Sequence, residues 1–497
     1  MVTENDNNEL SLQARQRRQL MQALGSAALL SGLALSTRAN AQAAQDTQGD
    51  VLDVAIIGGG LAGLTAGRDL LRAGNQSFIV LEARDRVGGR TYNHNLGNGV
   101  ISEAGGQWIG PGQTAIVDLA RELEVDTFPT YYQGKSAYLM GDAKYEEDTT
   151  DGAKTNPVIV EKLNALARKV PSKAPWKAAD AAALDKLSVG EWLKQQGVSN
   201  VDKFGFNMSV SLTFGSPPAG MGLLHYLSMI NSSDCSLEKL EGFKGGAQET
   251  RFVGGSQILS IRMAQTLGNK VSLSSPVRRI VGWDRDIVEL HTDKGIVRAR
   301  TVILALNPAL CEQITFDPPL PGGRAELQRR WPAHAPMRKT VHVYKRPFWR
   351  DKGLNGQIVQ VEGPLILSYD NSPPDGSLGV LSAFVKPGQL PVDPKAAQET
   401  LSAIFAQAMG DEALHPMQYH DHDWGKIDPW SLTCISPMPP GFWTKLGEYL
   451  TPSVGRLIWS GTETADIWAG SMDGAVRSGH RAALEALQAL TQSRRTA

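Results

Sequence analysis

Gly58, Gly60 and Gly63 follow the apolar, β-branched run Val51 to Ile57 in the spacing G-x-G-x-x-G. In that order the first glycine permits a tight turn, the second lets backbone approach a pyrophosphate, and the third allows close helix–strand packing. Leu61 and Ala62 complete the turn, and the helix read over Leu64 to Ala73 would aim its free N–H groups and positive dipole end at the phosphates. Ser77 to Leu81 reads as a second strand, and Glu82 at its end can accept both hydroxyls of a ribose. The following segment, Glu82-Ala83-Arg84-Asp85-Arg86-Val87-Gly88-Gly89-Arg90-Thr91, adds a second glycine turn and several arginines. Such a turn suits the pyrophosphate of a bound flavin and has no role in a simple nicotinamide fold, so FAD is the expected cofactor.

The elements that must hold these residues form a βαβ unit opening a doubly wound sheet. Further strands are expected near Lys270 to Leu273, Ile287 to Thr292, Thr301 to Leu306 and Gly455 to Ser460, with an amphipathic helix over Asp473 to Leu490. Residues 151 to 246 are Lys- and Ala-rich and helical in pattern, and Ser188 with Glu191 fits a capping box before Trp192-Leu193. Lys339 to Tyr344 alternates like a strand. The fold class expected is α/β, a Rossmann-like FAD-binding domain with an interleaved α+β substrate domain. Residues 51–125, 247–330 and 445–490 would build the first. Residues 126–246, mainly helical, and 331–444, containing a sheet, would build the second.

Composition narrows the function. The chain has 497 residues, 41% hydrophobic and 20% charged, with a formal net charge of -1, so it carries neither a nucleic-acid footprint nor a polybasic membrane patch. A small-molecule partner is expected. Its three cysteines, Cys235, Cys311 and Cys434, form no CxxC, and no metal site is expected. Residues 1–43 read as an export leader: Arg15, Arg17 and Arg18, then the apolar stretch Met21 to Ser36, then small-x-small cleavage candidates from Ala39 to Ala43. The pair Arg17-Arg18 resembles a twin-arginine signal, which points to the periplasm.

These motifs, in this order, resemble the flavin-containing monoamine oxidase family across most of residues 51 to 490. The likeness rests on Gly58 to Gly63, Glu82 to Thr91, Glu103 to Pro111 (Glu-Ala-Gly-Gly-Gln-Trp-Ile-Gly-Pro), Gly245 to Glu249, Phe252 to Gly255, Tyr344 to Trp349, and Gly461-Thr462-Glu463-Thr464 through Trp468 to Ala475. The resemblance implies a flavin ring at the interface of two domains. Glu82, Ala83, Arg84, Gly88, Gly89 and Arg90 would hold ribose and diphosphate, and Val277 would meet the adenine through its backbone. Gly106, Gln107, Trp108, Trp424, Gly461, Glu463, Ser471, Met472 and Ala475 would line the rest of the cofactor. It implies oxidation of an amine to an imine by hydride transfer to flavin N5, then hydrolysis to a carbonyl compound plus amine or ammonia. Lys339 would hold a water that assists flavin reoxidation, and a lysine between apolar strand residues needs a polar partner in any case. Trp108, Gln248, Trp424, Cys434, Trp468 and Ser471 would line the substrate pocket.

Two departures stand out. Mammalian members place a tyrosine at each of the positions of Cys434 and Ser471, and their flavin-tethering cysteine aligns with Thr433. A roomier or differently polar pocket, with Trp424, Trp430 or Trp468 as candidates to refill part of it, and non-covalent FAD are therefore expected. An L-amino acid oxidase and a polyamine oxidase share the fold. The first needs a cationic carboxylate clamp; Arg168 is the only arginine in residues 151–246, which argues against it, but an arginine from residues 331–350 (Arg338, Arg346 or Arg350) could still reach the pocket. The second needs clustered acids, for which Asp421, Asp423, Glu241 and Glu249 are the candidates. A flavin-binding electron-transfer partner without turnover is the reading from another class. The electron acceptor is left between oxygen and a periplasmic cytochrome or quinone, and a homodimer is left open.

Overall fold

The computed structural model describes residues 51–149, 156–333, 337–386, 388–432 and 435–496. The proposed leader, Thr433 and Cys434 lie outside them. Val51–Ile57 is a strand whose apolar run is buried from Val54 onward, and it pairs in parallel with Phe78–Leu81 on one side and Gly295–Ala305 on the other. These belong to an eight-stranded sheet, which continues to Val271–Ser272 at one edge and through Val288–Thr292 and Val277–Val281 to Thr315–Asp317 at the other. Leu457–Ser460 also pairs in parallel with the end of Gly295–Ala305. The mixed α/β fold with a Rossmann-like sheet is thus observed.

Local boundaries differ from the sequence reading for physical reasons. The first helix begins at Leu61, because the extended backbone of Gly60 already supplies its N-cap. The strand at Gly295 starts six residues earlier than Thr301, because its first half pairs with Val288–Thr292 through a tight polar turn. Lys270 ends a short 3-10 turn, and only Val271–Ser272 is strand.

A second, seven-stranded sheet runs in the order Gln418–Asp423, Arg338–Tyr344, Gly379–Val385, Leu365–Asp370, Leu354–Gln360, Lys135–Met140, Ala143–Asp148. Every residue of Arg338–Tyr344 is buried, so both faces of this strand are covered. Side chains alternate across a strand. His342 accordingly meets Phe405 of helix Pro394–Met409, while Val341 and Val343 pack on the other face with Leu96 of the hairpin Asn93–Glu103. Lys339 shares that second face, where its ammonium reaches Gly105 and Gln107. A three-stranded sheet, Trp108–Ile109, Thr250–Phe252 and Thr127–Pro129, sets Trp108 opposite Arg251. Helices from Pro157 to Glu241 form a separate apolar core that also takes in Trp443 and Trp468. The capping box at Ser188 and Glu191 is present in both directions.

Candidate active site

The two glycine turns form the first half of the site. Gly58 has φ +107°, and a β-carbon there would stand 2.6 Å from the Ala305 carbonyl oxygen; at Gly63 it would stand 2.0 Å from that of Gly58. Both positions are closed to any side chain. At Gly60 the nearest atom would be Gly89 Cα at 3.9 Å, so the two turns face one another with their backbones bare. Glu82 pins them: its carboxylate accepts the N–H of Gly59 at 2.6 Å and of Arg84 at 2.9 Å. Ser275 N–H donates to the Glu82 carbonyl at 2.8 Å, which brings the segment leading into Val277 alongside. Arg84 grips Asp428 through two bonds of 2.9 Å, and Arg86 reaches the same carboxylate. The positive charge expected over the diphosphate is thus partly balanced by Asp428, an acid that carries no local sequence signal.

Glu463 forms the second half. Its Oε1 accepts from Arg90 at 2.7 Å and Asn307 at 2.9 Å, while its buried Oε2 has no partner among the described residues. A buried carboxylate oxygen without a donor is costly, and a ligand hydroxyl would satisfy it. The indole N–H of Trp108 is likewise buried and has no partner among the described residues. Bare glycine turns before a helix N-terminus, with these two orphaned polar atoms, fit FAD. Gly461, Met472 and Ala475 border the same region; Met472 Cγ is the nearest atom to a carbon built on Gly106, at 4.0 Å.

Ala104 to Trp108 is where the halves meet. The Trp424 indole donates to the Ala104 carbonyl at 2.9 Å, and a side chain on Gly105 would strike the Arg90 carbonyl at 2.0 Å. Ser256 donates to the Gly106 carbonyl at 2.5 Å. Lys339, only 2% exposed, donates to the Gly105 carbonyl at 3.2 Å and to Gln107 Oε1 at 2.5 Å. Its Nζ lies 5.6–5.8 Å from the ring centres of Trp108, Tyr369 and Phe384. The polar partner demanded for a buried lysine is therefore Gln107, a residue the sequence assigned to the cofactor. Burial holds the Tyr369 phenol well above its usual range, so its hydroxyl stays a donor, here to Gln107 Oε1 at 3.0 Å.

The remaining pocket candidates divide. The Gln248 amide nitrogen is placed to donate to the carbonyls of Gly242 and Glu241, 3.0 and 2.5 Å away, which leaves its oxygen as an acceptor. Trp108 packs against Tyr369 at 4.8 Å between centroids, with Phe243 and Phe384 beyond, an aromatic wall of which only Trp108 was read from sequence. Trp424 stacks edge-on against His422, whose imidazole burial pushes down to about 4. Trp468 packs into the helical core and donates to the Gly112 carbonyl at 3.1 Å. The Ser471 hydroxyl accepts from Gly474 N–H and donates to the Trp468 carbonyl. That makes it the N-cap of the long C-terminal helix from Met472.

The sequence matches the family described as flavin containing amine oxidoreductase over residues 61–487. It is 37% identical over 443 residues to a Mycobacterium tuberculosis protein provisionally named flavin-containing monoamine oxidase AofH, covering 87% of this chain and 96% of that one. The structure is similar to cyclohexylamine oxidase from Brevibacterium oxydans, with TM-score 0.81, 29% identity, and coverage of 89% and 100% of the two chains. It is also similar to wild-type putrescine oxidase bound to putrescine, with TM-score 0.80, 30% identity, and coverage of 88% and 99%.

Proposed function

The chain belongs to the family of flavin-containing amine oxidoreductases and is an FAD-dependent enzyme acting on amines, and on that premise we propose that its substrate carries one basic nitrogen and no carboxylate. The fate of the candidate clamps carries this reading. Arg338 is paired with Asp421, Arg346 with Asp351, Arg350 with Asp370 and Arg168 with Glu161. An amino acid's carboxylate needs a guanidinium turned to the pocket, and these four are committed elsewhere. The acids are equally dispersed. Asp421 holds Arg338, Asp423 stands 3.6 Å from Lys426, Glu249 accepts Gly245 N–H, and Glu241 accepts from Ser209 with its carboxyl raised by burial to about 7. A diamine's second ammonium therefore meets no acidic cluster among them. Both observations favour a monoamine over the amino acid and polyamine alternatives. The buried, hydrogen-bonded Lys339 favours turnover over mere flavin carriage.

Bound FAD supplies the acceptor for the hydride that leaves the carbon next to nitrogen as the C=N bond forms. Water then adds to the imine and releases a carbonyl compound with ammonia or an amine. The protein's own part is placement and exclusion of water. Trp108, Tyr369 and Phe384 present ring faces, and the Gln248 oxygen can accept an amine N–H. Lys339 donates hydrogen bonds and, by the family resemblance, holds the water that serves reoxidation. Glu82 and the facing glycine turns would carry the ribose and pyrophosphate, with Glu463 accepting from a hydroxyl of the chain toward the ring. Flavin attachment is non-covalent in this reading. Export through the twin-arginine leader would place the enzyme in the periplasm, with oxygen, a cytochrome or a quinone as acceptor.

Anaerobic mixing with a panel of monoamines, diamines and amino acids tests the reading. Flavin bleaching fastest with monoamines is expected; bleaching confined to amino acids or diamines would overturn it. Reoxidation compared between dissolved oxygen and cytochrome c identifies the acceptor.

A further inference from the structure

Beyond Gln107, Lys339 is connected to a chain of buried amides. Gln107 Nε2 donates to Asn371 Oδ1 at 2.7 Å, and Asn371 Nδ2 donates to Ser102 Oγ at 2.8 Å and to Glu103 Oε2 at 3.2 Å. Glu103 closes the chain on Arg251 at 2.8 Å. The orientation of both amides is forced from the two ends. A lysine has only donors, so Gln107 must turn its oxygen to Nζ; an ionised carboxylate has only acceptors, so Asn371 must turn its nitrogen to Glu103. The two amide dipoles therefore point the same way, from the Glu103 carboxylate to the Lys339 ammonium, and each polarises the next. Tyr369 adds a second donor to Gln107 Oε1.

We propose that Asn371 is a positioning residue: it acts through Gln107 to hold the proton on Lys339 Nζ, and so sets the pH range over which reoxidation of the flavin is assisted. The inference rests on the reading of Lys339 as the residue that assists reoxidation. Among these contacts Asn371 reaches Lys339 only through Gln107. Among the described residues, the titratable groups around Lys339 include Glu103 and Arg251 at the chain's end, Tyr369, and His94 and His422 from the neighbouring hairpin and strand. Burial holds both histidines near 4 and the Tyr369 phenol well above its usual range, so none of the three changes charge near neutral pH.

The test is the rate of reoxidation of the dithionite-reduced holoenzyme by dissolved oxygen, measured against pH for the parent and for Lys339→Met, Asn371→Leu and Asn371→Asp combined with Glu103→Gln. FAD content is measured for each. Asn371→Leu removes the relay, and the pH at which the assisted rate falls should move down by about one unit. Asn371→Asp, made together with Glu103→Gln so that two carboxylates do not share one proton, moves the negative charge closer to Lys339, and the fall should move up by a similar amount. The opposed directions separate the relay from general damage, and the aspartate variant alone decides if the leucine variant does not fold. Lys339→Met should slow reoxidation and erase the pH step. If Lys339→Met slows reoxidation while both Asn371 variants keep the parent profile, the relay is wrong and the Lys339 reading stands. If Lys339→Met reoxidises like the parent, the Lys339 reading falls and the relay with it.

Discussion

Replacing Arg251 by methionine removes a guanidinium from one of the most deeply buried ion pairs in the structure while keeping much of its volume. The two side chains are 3% and 0% exposed and 2.8 Å apart, and the arginine also donates to the Ser372 carbonyl at 3.2 Å. Among the described residues, Glu103 keeps only the Asn371 amide as donor when Arg251 is gone, and its Oε1 already has no partner. Removing one member of such a pair costs about 3–5 kcal/mol, because the remaining charge is left uncompensated in a low-dielectric interior. On a chain of this size that lowers the unfolding temperature by about 3–5 °C. Substituting Glu103→Gln in the same chain removes the stranded charge yet keeps an acceptor for Asn371, so the double variant should recover most of the loss. Unfolding of the FAD-loaded protein, followed by tryptophan and flavin fluorescence, measures both. A loss below about 1 kcal/mol for Arg251→Met, or a double variant less stable than the single one, would refute the reasoning.

Acid stability carries a further expectation. Burial lowers the His225 and His342 imidazoles to about 4, so between pH 6.5 and 4 the unfolded chain binds protons that the native state refuses. Stability then falls by about 1.4 kcal/mol per pH unit for each histidine as the pH drops through that window, and neither contributes above it. Glu241, raised to about 7, acts in the opposite sense between 4.5 and 7, but one carboxyl is outweighed by two imidazoles below 6.5. His342→Leu should flatten the slope of unfolding free energy against pH, and an unchanged slope would contradict the argument. Ser471→Ala should lose about 1 kcal/mol of stability with its helix cap and leave amine turnover within a few-fold; a large KM change with stability intact would return Ser471 to the substrate pocket. Acid precipitation should leave the flavin in the supernatant, and a yellow pellet would show a covalent bond.

What could be read in the sequence was local. The glycine spacing and Glu82 sit within one βαβ unit, and the capping box at Ser188 needs only a three-residue separation, so each was legible without tertiary information. Lys339 was legible because a lysine among strand valines has to be explained. Its partner was not, since Lys339 and Gln107 are 232 residues apart and no periodicity links them. The same holds for Asp428 on Arg84, Asn307 on Glu463 and Asn371 in the amide chain. Each is a single long-range contact, invisible until the two sheets are brought together. Ser471 and Trp468 illustrate another limit. Alignment gives their place in the chain, but whether a hydroxyl faces a ligand or caps a helix depends on the backbone turn that precedes it, where Trp468 has φ +54°.

Under the proposed function, this site oxidises monoamines at the expense of bound flavin. Anaerobic stopped-flow mixing of the holoenzyme with monoamines of graded size reads it directly. Loss of the oxidised-flavin absorbance, at a rate that saturates with amine concentration, is the expected result. A spectrum left unchanged by every monoamine, in a protein that carries its full complement of FAD, would contradict it.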